Sequence, residues 1–438
     1  MGRAGREFDR EILRLAVPAL GSLIAEPLYI LADTAVVGHL GTPQLGGLAV
    51  ASSILLTGYA VFIFLAYGTT GAVARLIGAG DEREAAHQGV QGLWLAALLS
   101  VPLAIVTAIW AGPLVRVIGA DGDVAVNAEI YLRFSAPGIP ALLLALAGTG
   151  YIRGLQDTRT PLLVAVGTSV LNLVLEIWLV FGLDLGIGAS AVATVIAQWS
   201  GAIVYLAVIA RSVRRHGVAL GPDRRSLARL GRAGRDLVIR TAALRGALML
   251  SVVVATEIGD VDLGAFQIAF QIWNLLALVL DAIAIAGQSM VARSLGAGNA
   301  GAARAMARRM IEWSIVSGFV LAGLVVVLRT VLPHAFSDDA AVISLAAFML
   351  WHVAALQPAA AVVFALDGIL IGAGDYRFLA WAMVGAFAAF GAASVAVLTF
   401  DLGAGWLMGT LWILMLARLG PLTTRYRQDR WLVTGNHP

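Results

Sequence analysis

Long apolar segments are the feature that most limits how this chain can fold. About 12 of them, each near 20 residues, are separated by short charged or glycine-rich joints, and they centre near residues 25, 55, 100, 140, 170, 198, 245, 275, 318, 355, 387 and 410. A helix needs roughly 20 apolar residues to cross a bilayer, where only helices and closed barrels satisfy their backbone polar groups. The sequence therefore predicts an all-α polytopic membrane protein.

The composition agrees with a membrane location. Hydrophobic residues make up 60% of the chain, charged residues 13%, and the mean hydropathy is +0.87. Soluble domains are roughly 45 to 50% apolar and about 25% charged, so a soluble globular role is excluded. The chain contains no cysteine, and neither disulfides nor thiolate metal sites are expected.

The basic residues are all arginines, and most of them lie in alternate joints. By the positive-inside rule, both termini and the long central loop are expected in the cytoplasm, with the chain spanning the plasma (inner) membrane. This pattern requires an even number of spans. It also accounts for the pI near 9.5, so nucleic acid is not expected as a partner.

An internal repeat divides the chain into halves. The segment VARLIGAG at 73–80 recurs as VARSLGAG at 291–298, an offset of 218 residues, and RGLQDTR at 153–159 matches IGAGDYR at 371–377 at the same offset. Generic turns would not keep one spacing. Parallel repeats about an axis along the membrane normal predict two six-helix lobes related by pseudo-two-fold symmetry. The predicted boundaries are 1–210 for the N-lobe, 211–235 for a cytoplasmic inter-lobe loop, and 236–438 for the C-lobe.

Ionisable residues inside spans are functional-site hypotheses, because their burial is costly. Asp33 interrupts the apolar run LYILADTAVVGHLGT at 28–42, and Glu26 lies seven residues earlier, across Pro27. Asn172 and Glu176 are one turn apart and share a helix face.

Thr194 and Gln198 repeat the one-turn spacing on the sixth span, and Tyr131 lies in the fourth. If these faces converge with Asp33 and Glu176, the carboxyls cannot all stay ionised in a low dielectric. The cluster could then carry a proton, and the same oxygens could instead hold Na⁺. The structural alternative is that these groups only hydrogen-bond one helix to another.

The second half differs at the matching positions. At offset 218, Ser251 stands for Asp33, and Phe390 and Ser394 stand for Asn172 and Glu176. The acidic cluster is therefore expected in the first lobe alone. The polar groups inside spans of the second half are Arg245, Asp281, Gln288, His352, Gln357 and Asp367. Arg245 and Asp281 are predicted to form a buried structural pair.

Four motifs resemble the multidrug and toxic compound extrusion (MATE) transporters, within them the DinF-like branch. They are DTAVVGHLGT, GAVARLIGAGD, YIRGLQDTRTPL and ALDGILIGAGDYR, and the resemblance covers essentially the whole chain. It implies a cation site in the N-lobe formed by Asp33, Asn172, Glu176 and Thr194, with Tyr131 nearby. Prokaryotic members often carry Asp where this chain has Glu176. Asp367 matches an acidic position at the lobe interface in parts of the family, so a second cation site there is an alternative.

The expected function is an ion-coupled antiporter that exports amphipathic, often cationic, organic compounds by alternating access. The coupling ion is expected to be H⁺, with Na⁺ at the Asp33 and Glu176 cluster as the alternative; no other cofactor or metal is expected, and the chain should act as a monomer in the lipid bilayer. Glu26, Tyr131, Gln198, Asp281 and Asp367 are candidates for the substrate path or lobe interior. A flippase for a lipid-linked precursor is the alternative within transport. An intramembrane enzyme is not supported, because neither H-E-x-x-H nor G-x-S-x-G occurs.

Overall fold

The computed structural model describes residues 3–436 of the chain, and this part is built from helices. The α-helices are α1 (Arg3–Gly38), α2 (Thr42–Phe62), α3 (Phe64–Gly78), α4 (Glu82–Ile109), α5 (Ala111–Val117), α6 (Gly122–Ser135), α7 (Gly138–Gly154), α8 (Arg159–Ile177), α9 (Gly186–His216), α10 (Arg224–Ile258), α11 (Asp260–Gly296), α12 (Ala300–Leu328), α13 (Ala340–Ala373), α14 (Tyr376–Thr399) and α15 (Ala404–Arg427). A π-helical turn (Trp178–Gly182) follows α8, and a 3-10 turn (Leu332–Ala335) precedes α13.

The membrane spans predicted from hydropathy are present as helices. Within residues 3–436, 11 helices are long and apolar enough to cross a membrane, and the pair α6 and α7, bent by 54°, makes up to 12. Each predicted segment centre falls inside one of these spans. In the second span, α2 and α3 are separated at Ile63. The predicted all-α polytopic class is confirmed.

The chain divides into two compact units. The N-terminal unit comprises Val17–Gly234, and the C-terminal unit comprises the chain from Arg235 onward together with α1 up to Ala16. Each unit holds six of the spans. The helices leave only the stretch 217–223 between α9 and α10 non-helical, so much of the predicted loop 211–235 is helix. The lobe boundaries drawn from that loop stay a prediction.

Glycines bring helix backbones into direct contact at matching places in the two units. A Cβ on Gly150 of α7 would lie 2.6 Å from the Ala66 carbonyl oxygen of α3, and a Cβ on Gly368 of α13 would lie 2.5 Å from the Ala284 carbonyl oxygen of α11. Both members of each contact are related by the offset of 218 residues. Small residues are what allow helices to approach this closely in a membrane. The internal repeat seen in the sequence is therefore also a repeat of packing.

The matched joints share helix-capping chemistry in part. Asp81 accepts a hydrogen bond from the Glu84 amide, and Asn299, 218 residues later, accepts one from the Ala302 amide. Both contacts are N-caps.

Asp157 and Asp375 are also matched, but they differ in their partners. Asp157 Oδ1 accepts hydrogen bonds from the amides of Arg159 and Thr160 at 2.9 and 3.0 Å, which caps α8. Asp375 instead accepts from the Arg425 guanidinium at 2.6 Å, which ties the start of α14 to α15. The same sequence position therefore serves capping in one unit and bridging in the other.

Gly150→Ala is expected to destabilise the folded protein by about 1 to 3 kcal/mol, the usual cost of overpacking, because its methyl group would meet backbone that cannot move aside. Gly167→Ala is the matched control. Gly167 also lies inside a helix, and a Cβ there meets nothing within 4 Å. That variant should gain up to about 1 kcal/mol from helix propensity. Melting of the purified protein in detergent checks both, and equal melting temperatures would contradict the close-packing argument.

Candidate functional site

The polar residues predicted for the N-lobe meet inside the N-terminal unit. Four helices supply them: α1 carries Asp33, α6 carries Tyr131, α8 carries Asn172 and Glu176, and α9 carries Thr194. Asp33 is 5% exposed and Glu176 is fully buried. The one-turn spacings of α1, α8 and α9 place these groups on the faces that pack together, and α8 passes into the π-helical turn directly after Glu176.

Two carboxyl groups lie in contact at the centre of the site. Asp33 and Glu176 are within hydrogen-bond reach of each other. The Ser190 hydroxyl donates to Asp33 Oδ1 at 3.0 Å, whereas neither Glu176 oxygen meets a hydrogen-bond donor in the part of the chain that the structure describes. A carboxylate only accepts hydrogen bonds, so two carboxyl groups can bond to each other only when one of them carries a proton.

The Thr194 hydroxyl is the second centre of the site. Asn172 Nδ2 donates to Thr194 Oγ1 at 3.0 Å, and the Tyr29 hydroxyl lies 2.9 Å from the same oxygen. Tyr131 faces both Thr194 and Asp33. The Asn172 amide oxygen is buried and has no donor among residues 3–436. The site therefore presents three buried acceptor oxygens without donors, one from Asn172 and two from Glu176, and this chemistry suits a cation.

Two further predicted residues of the N-lobe lie outside this cluster. Glu26 is exposed in the chain and faces Tyr29 and Tyr59. The Gln198 amide oxygen packs against Gly138 at the start of α7. Next to it, the Trp199 indole donates to the Pro137 carbonyl at 3.0 Å. The surroundings of Gln198 are those of a helix-packing contact.

The acidic residues of the C-terminal unit have arginine partners. Asp367 of α13 accepts a hydrogen bond from Arg240 of α10 at 2.6 Å and a second from Arg418 of α15. Asp281 of α11 faces Arg418. Asp367 and Arg418 are 6% and 4% exposed. Two buried guanidinium groups thus occupy the surroundings of Asp367, which argues against a cation site there.

The sequence-based pairing of Asp281 with Arg245 does not describe this arrangement. The Arg245 side chain is exposed, and the buried cations of the unit are Arg240 and Arg418. Spacing along the chain could not identify them, because Arg240 lies at the start of the seventh span and Arg418 near the end of the twelfth. Both positions read as ordinary basic span ends.

The positions that match the acidic site hold no charge in the C-terminal unit. Ser251, in place of Asp33, is fully buried and donates to the Ala247 carbonyl of its own helix at 3.0 Å. Phe390 and Ser394, in place of Asn172 and Glu176, are also fully buried. Among the matched positions, the carboxyl pair therefore belongs to the N-terminal unit alone.

Sequence reasoning missed two residues of the site, Tyr29 and Ser190. Both could have been found by extending the stripes that were used. Tyr29 lies one turn before Asp33, and Ser190 lies one turn before Thr194, so each continues a one-turn polar pattern. Serine and tyrosine inside a span are common enough as packing residues that the pattern alone did not single them out.

The spans and the buried site together define a polytopic helical membrane transporter. A scan against protein families matches the MatE family model at residues 18–178 and 238–397, more than half of the chain. The chain belongs to the MatE family. Because this is a family of transporters, the intramembrane enzyme considered from the sequence is set aside.

Relatives and solved structures agree with this assignment. Protein DETOXIFICATION 44, chloroplastic, of Arabidopsis thaliana is 32% identical over 396 residues, covering 86% of this chain and 74% of the relative. DNA damage-inducible protein F of Escherichia coli (strain K12) is 29% identical over 299 residues, covering 65% of this chain and 64% of the relative. A structure described as the outward-facing conformation of a multidrug resistance MATE family transporter has a TM-score of 0.86 at 22% identity, covering 96% of both chains.

Proposed function

We propose that this chain is a proton-coupled antiporter that exports amphipathic, often cationic, organic compounds by alternating access. The contact between the Asp33 and Glu176 carboxyls carries the proposal. Such a contact is stable only with one shared proton, and it lies where hydrogen-bond donors are few. The site can therefore take up and release a proton without a metal, a nucleotide or another cofactor.

Charge balance supplies the coupling. Loading a proton removes one negative charge from the pair, and this changes the forces between α1, α8 and α9, the helices that hold it. Conformational states of a transporter that differ by a few kcal/mol respond to a bias of that size. In the proposed cycle, protons load from outside as substrate leaves, and protons leave to the cytoplasm as new substrate binds.

Three observations support the rest of the proposal. The arginine-rich joints favour cytoplasmic termini in the plasma (inner) membrane. All residues of the site come from one chain, which is consistent with a working monomer. A similar fold belongs to a protein described as a multidrug resistance transporter, and the two carboxyls of the N-terminal unit suit a cationic substrate better than the pyrophosphate headgroup of a lipid-linked precursor.

Vesicles containing the purified protein test the proposal with separately imposed proton and Na⁺ gradients and a panel of cationic dyes. A proton gradient should drive dye transport, and a Na⁺ gradient alone should not. Glu176→Gln keeps the side-chain shape but cannot exchange a proton, so proton-driven transport should fall roughly 5- to 150-fold, the range of typical coupling free energies.

Ser394→Ala, at the matching position of the C-terminal unit, is the control, because the Ser394 hydroxyl is buried without a partner among residues 3–436 and its loss should leave transport unchanged. Undiminished proton-driven transport in Glu176→Gln would remove Glu176 from coupling. Transport driven by Na⁺ alone would replace the proton with the alternative ion, and movement of a lipid-linked precursor without dye transport would favour the flippase.

A further inference from the structure

We propose that Ser190 is a positioning residue that decides which carboxyl of the pair holds the proton: Glu176 carries it, and Asp33 stays a carboxylate. This inference rests on the proposed proton site and deepens it. It reverses the simple expectation that Asp33, the residue that interrupts the first span, is the protonated group.

The hydrogen bonds on the Asp33 side show the first part of the argument. Ser190 Oγ donates to Asp33 Oδ1 at 3.0 Å, and Ser190 is fully buried. A serine hydroxyl has a single proton, so this bond commits Ser190 to Asp33. Hydrogen bonds to an ionised acceptor are roughly twice as strong as bonds between neutral groups, and the bond is therefore strongest when Asp33 is charged.

The Glu176 side shows the opposite environment. Both carboxyl oxygens are buried without a donor among the residues that the structure describes. A buried carboxylate without donors or a cationic partner is very costly. As a carboxylic acid, Glu176 instead supplies its own hydrogen, and the acceptor within its reach is Asp33.

Comparing the two placements of the proton decides between them. With the proton on Glu176, the Asp33 carboxylate accepts two hydrogen bonds, one from Glu176 and one from Ser190. With the proton on Asp33, the charged Glu176 accepts only one, and Ser190 donates to a neutral group. The first placement gives the negative charge both donors and is favoured.

No other hydroxyl of the site can take the place of Ser190. Thr194, one turn further along α9, already contacts Asn172 Nδ2 and the Tyr29 hydroxyl. The other titratable groups near the pair are the phenols of Tyr29 on α1 and Tyr131 on α6, with Glu26 further along α1. Ser190 is thus the neutral donor that fixes the charge on Asp33.

Infrared difference spectroscopy tests the assignment directly. Protein labelled with ¹³C-glutamate or with ¹³C-aspartate is compared across a pH titration, because the carbonyl band of a protonated carboxyl shifts with the label of the residue that carries it. The band from the site should follow the glutamate label and vanish in Glu176→Gln. A band that follows the aspartate label would overturn the proposal.

The pH profile of dye transport tests the role of Ser190. Ser190→Ala removes a donor from the Asp33 carboxylate, so the pair should hold its proton more tightly, and the midpoint of the profile should move to higher pH by about one unit. Ser190→Thr keeps a hydroxyl and should restore the midpoint. Ser200→Ala is the control on the same helix, because Ser200 donates only to the Ala197 carbonyl.

An unchanged midpoint in Ser190→Ala at normal protein yield would overturn the role given to Ser190. If Ser190→Ala does not fold, the midpoint of Ser190→Thr and the band assignment in the wild-type chain still decide the matter. A wild-type chain that shows the glutamate band without proton-driven transport would contradict the proposed function while leaving the proton placement standing.

Discussion

Asp33→Asn is expected to insert and fold normally and to lose proton-driven efflux. Asparagine keeps an oxygen in the position that accepts the Ser190 hydroxyl, and the neighbours of Asp33 are a carboxyl and hydroxyl groups, so losing its charge leaves no buried cation without a partner. Without a carboxylate at position 33, however, Glu176 has no charged acceptor with which to exchange its proton. We expect transport driven by a proton gradient to fall roughly 5- to 150-fold or to be lost.

Ser251→Ala is the matched control for this prediction. Ser251 occupies the same position in the second half of the repeat, is equally buried, and donates only to the Ala247 carbonyl. Its loss should cost a fraction of a kcal/mol in stability and leave transport active. Dye efflux, normalised to inserted protein, measures both variants. Equal loss of efflux in the two would contradict coupling through the N-terminal unit, as would full activity of Asp33→Asn.

Much of the fold could be predicted because bilayer insertion is a local property of sequence. A span is recognised from the hydropathy of its own roughly 20 residues, without knowing its neighbours. The internal repeat added long-range information, because a constant offset implies that matched segments have matched surroundings. The contacts of Gly150 with Ala66 and of Gly368 with Ala284 show this equivalence in the packing itself.

The carboxyl site could be predicted in its main members for a related reason. Burial makes an intramembrane carboxyl costly, so Asp33 and Glu176 stood out against an apolar background. Helical periodicity then placed Asn172 and Thr194 on faces that could converge. Ser190 and Tyr29 carry no such cost and were missed, although their roles depend on the same periodicity.

Ion pairs between distant helices could not be predicted in this way. Asp367 meets Arg240 and Arg418, which lie 127 and 51 residues away in the sequence. The two matched halves do not share this cluster, so the repeat offered no guide. The choice of Arg245 as the buried cation was wrong because the side of α10 that faces the unit depends on packing with α11, α13 and α15. Hydropathy does not encode that rotation.

Asp367→Asn is expected to have the opposite phenotype to Asp33→Asn, with loss of folded protein as the first effect. Asp367 is bonded to Arg240 and Arg418, and its neutral replacement would leave two buried guanidinium groups facing each other. Removing one partner of a buried charge cluster typically costs about 3 to 5 kcal/mol, because the remaining charge is uncompensated. Folded yield and the melting temperature in detergent should therefore fall sharply.

A second substitution separates this explanation from a simple loss of hydrogen bonds. Arg418→Gln added to Asp367→Asn removes one of the two uncompensated charges, so the double variant should be more stable than Asp367→Asn alone. Two lost hydrogen bonds without a charge effect would make it less stable, and the interaction term of the double-mutant cycle gives the sign. If Asp367→Asn folds normally and changes only the ion dependence of efflux, Asp367 belongs to the coupling machinery and the charge cluster is not structural. The contrast between the two aspartates follows from their neighbours, since Asp33 is surrounded by groups that tolerate its neutral form and Asp367 by groups that require its charge.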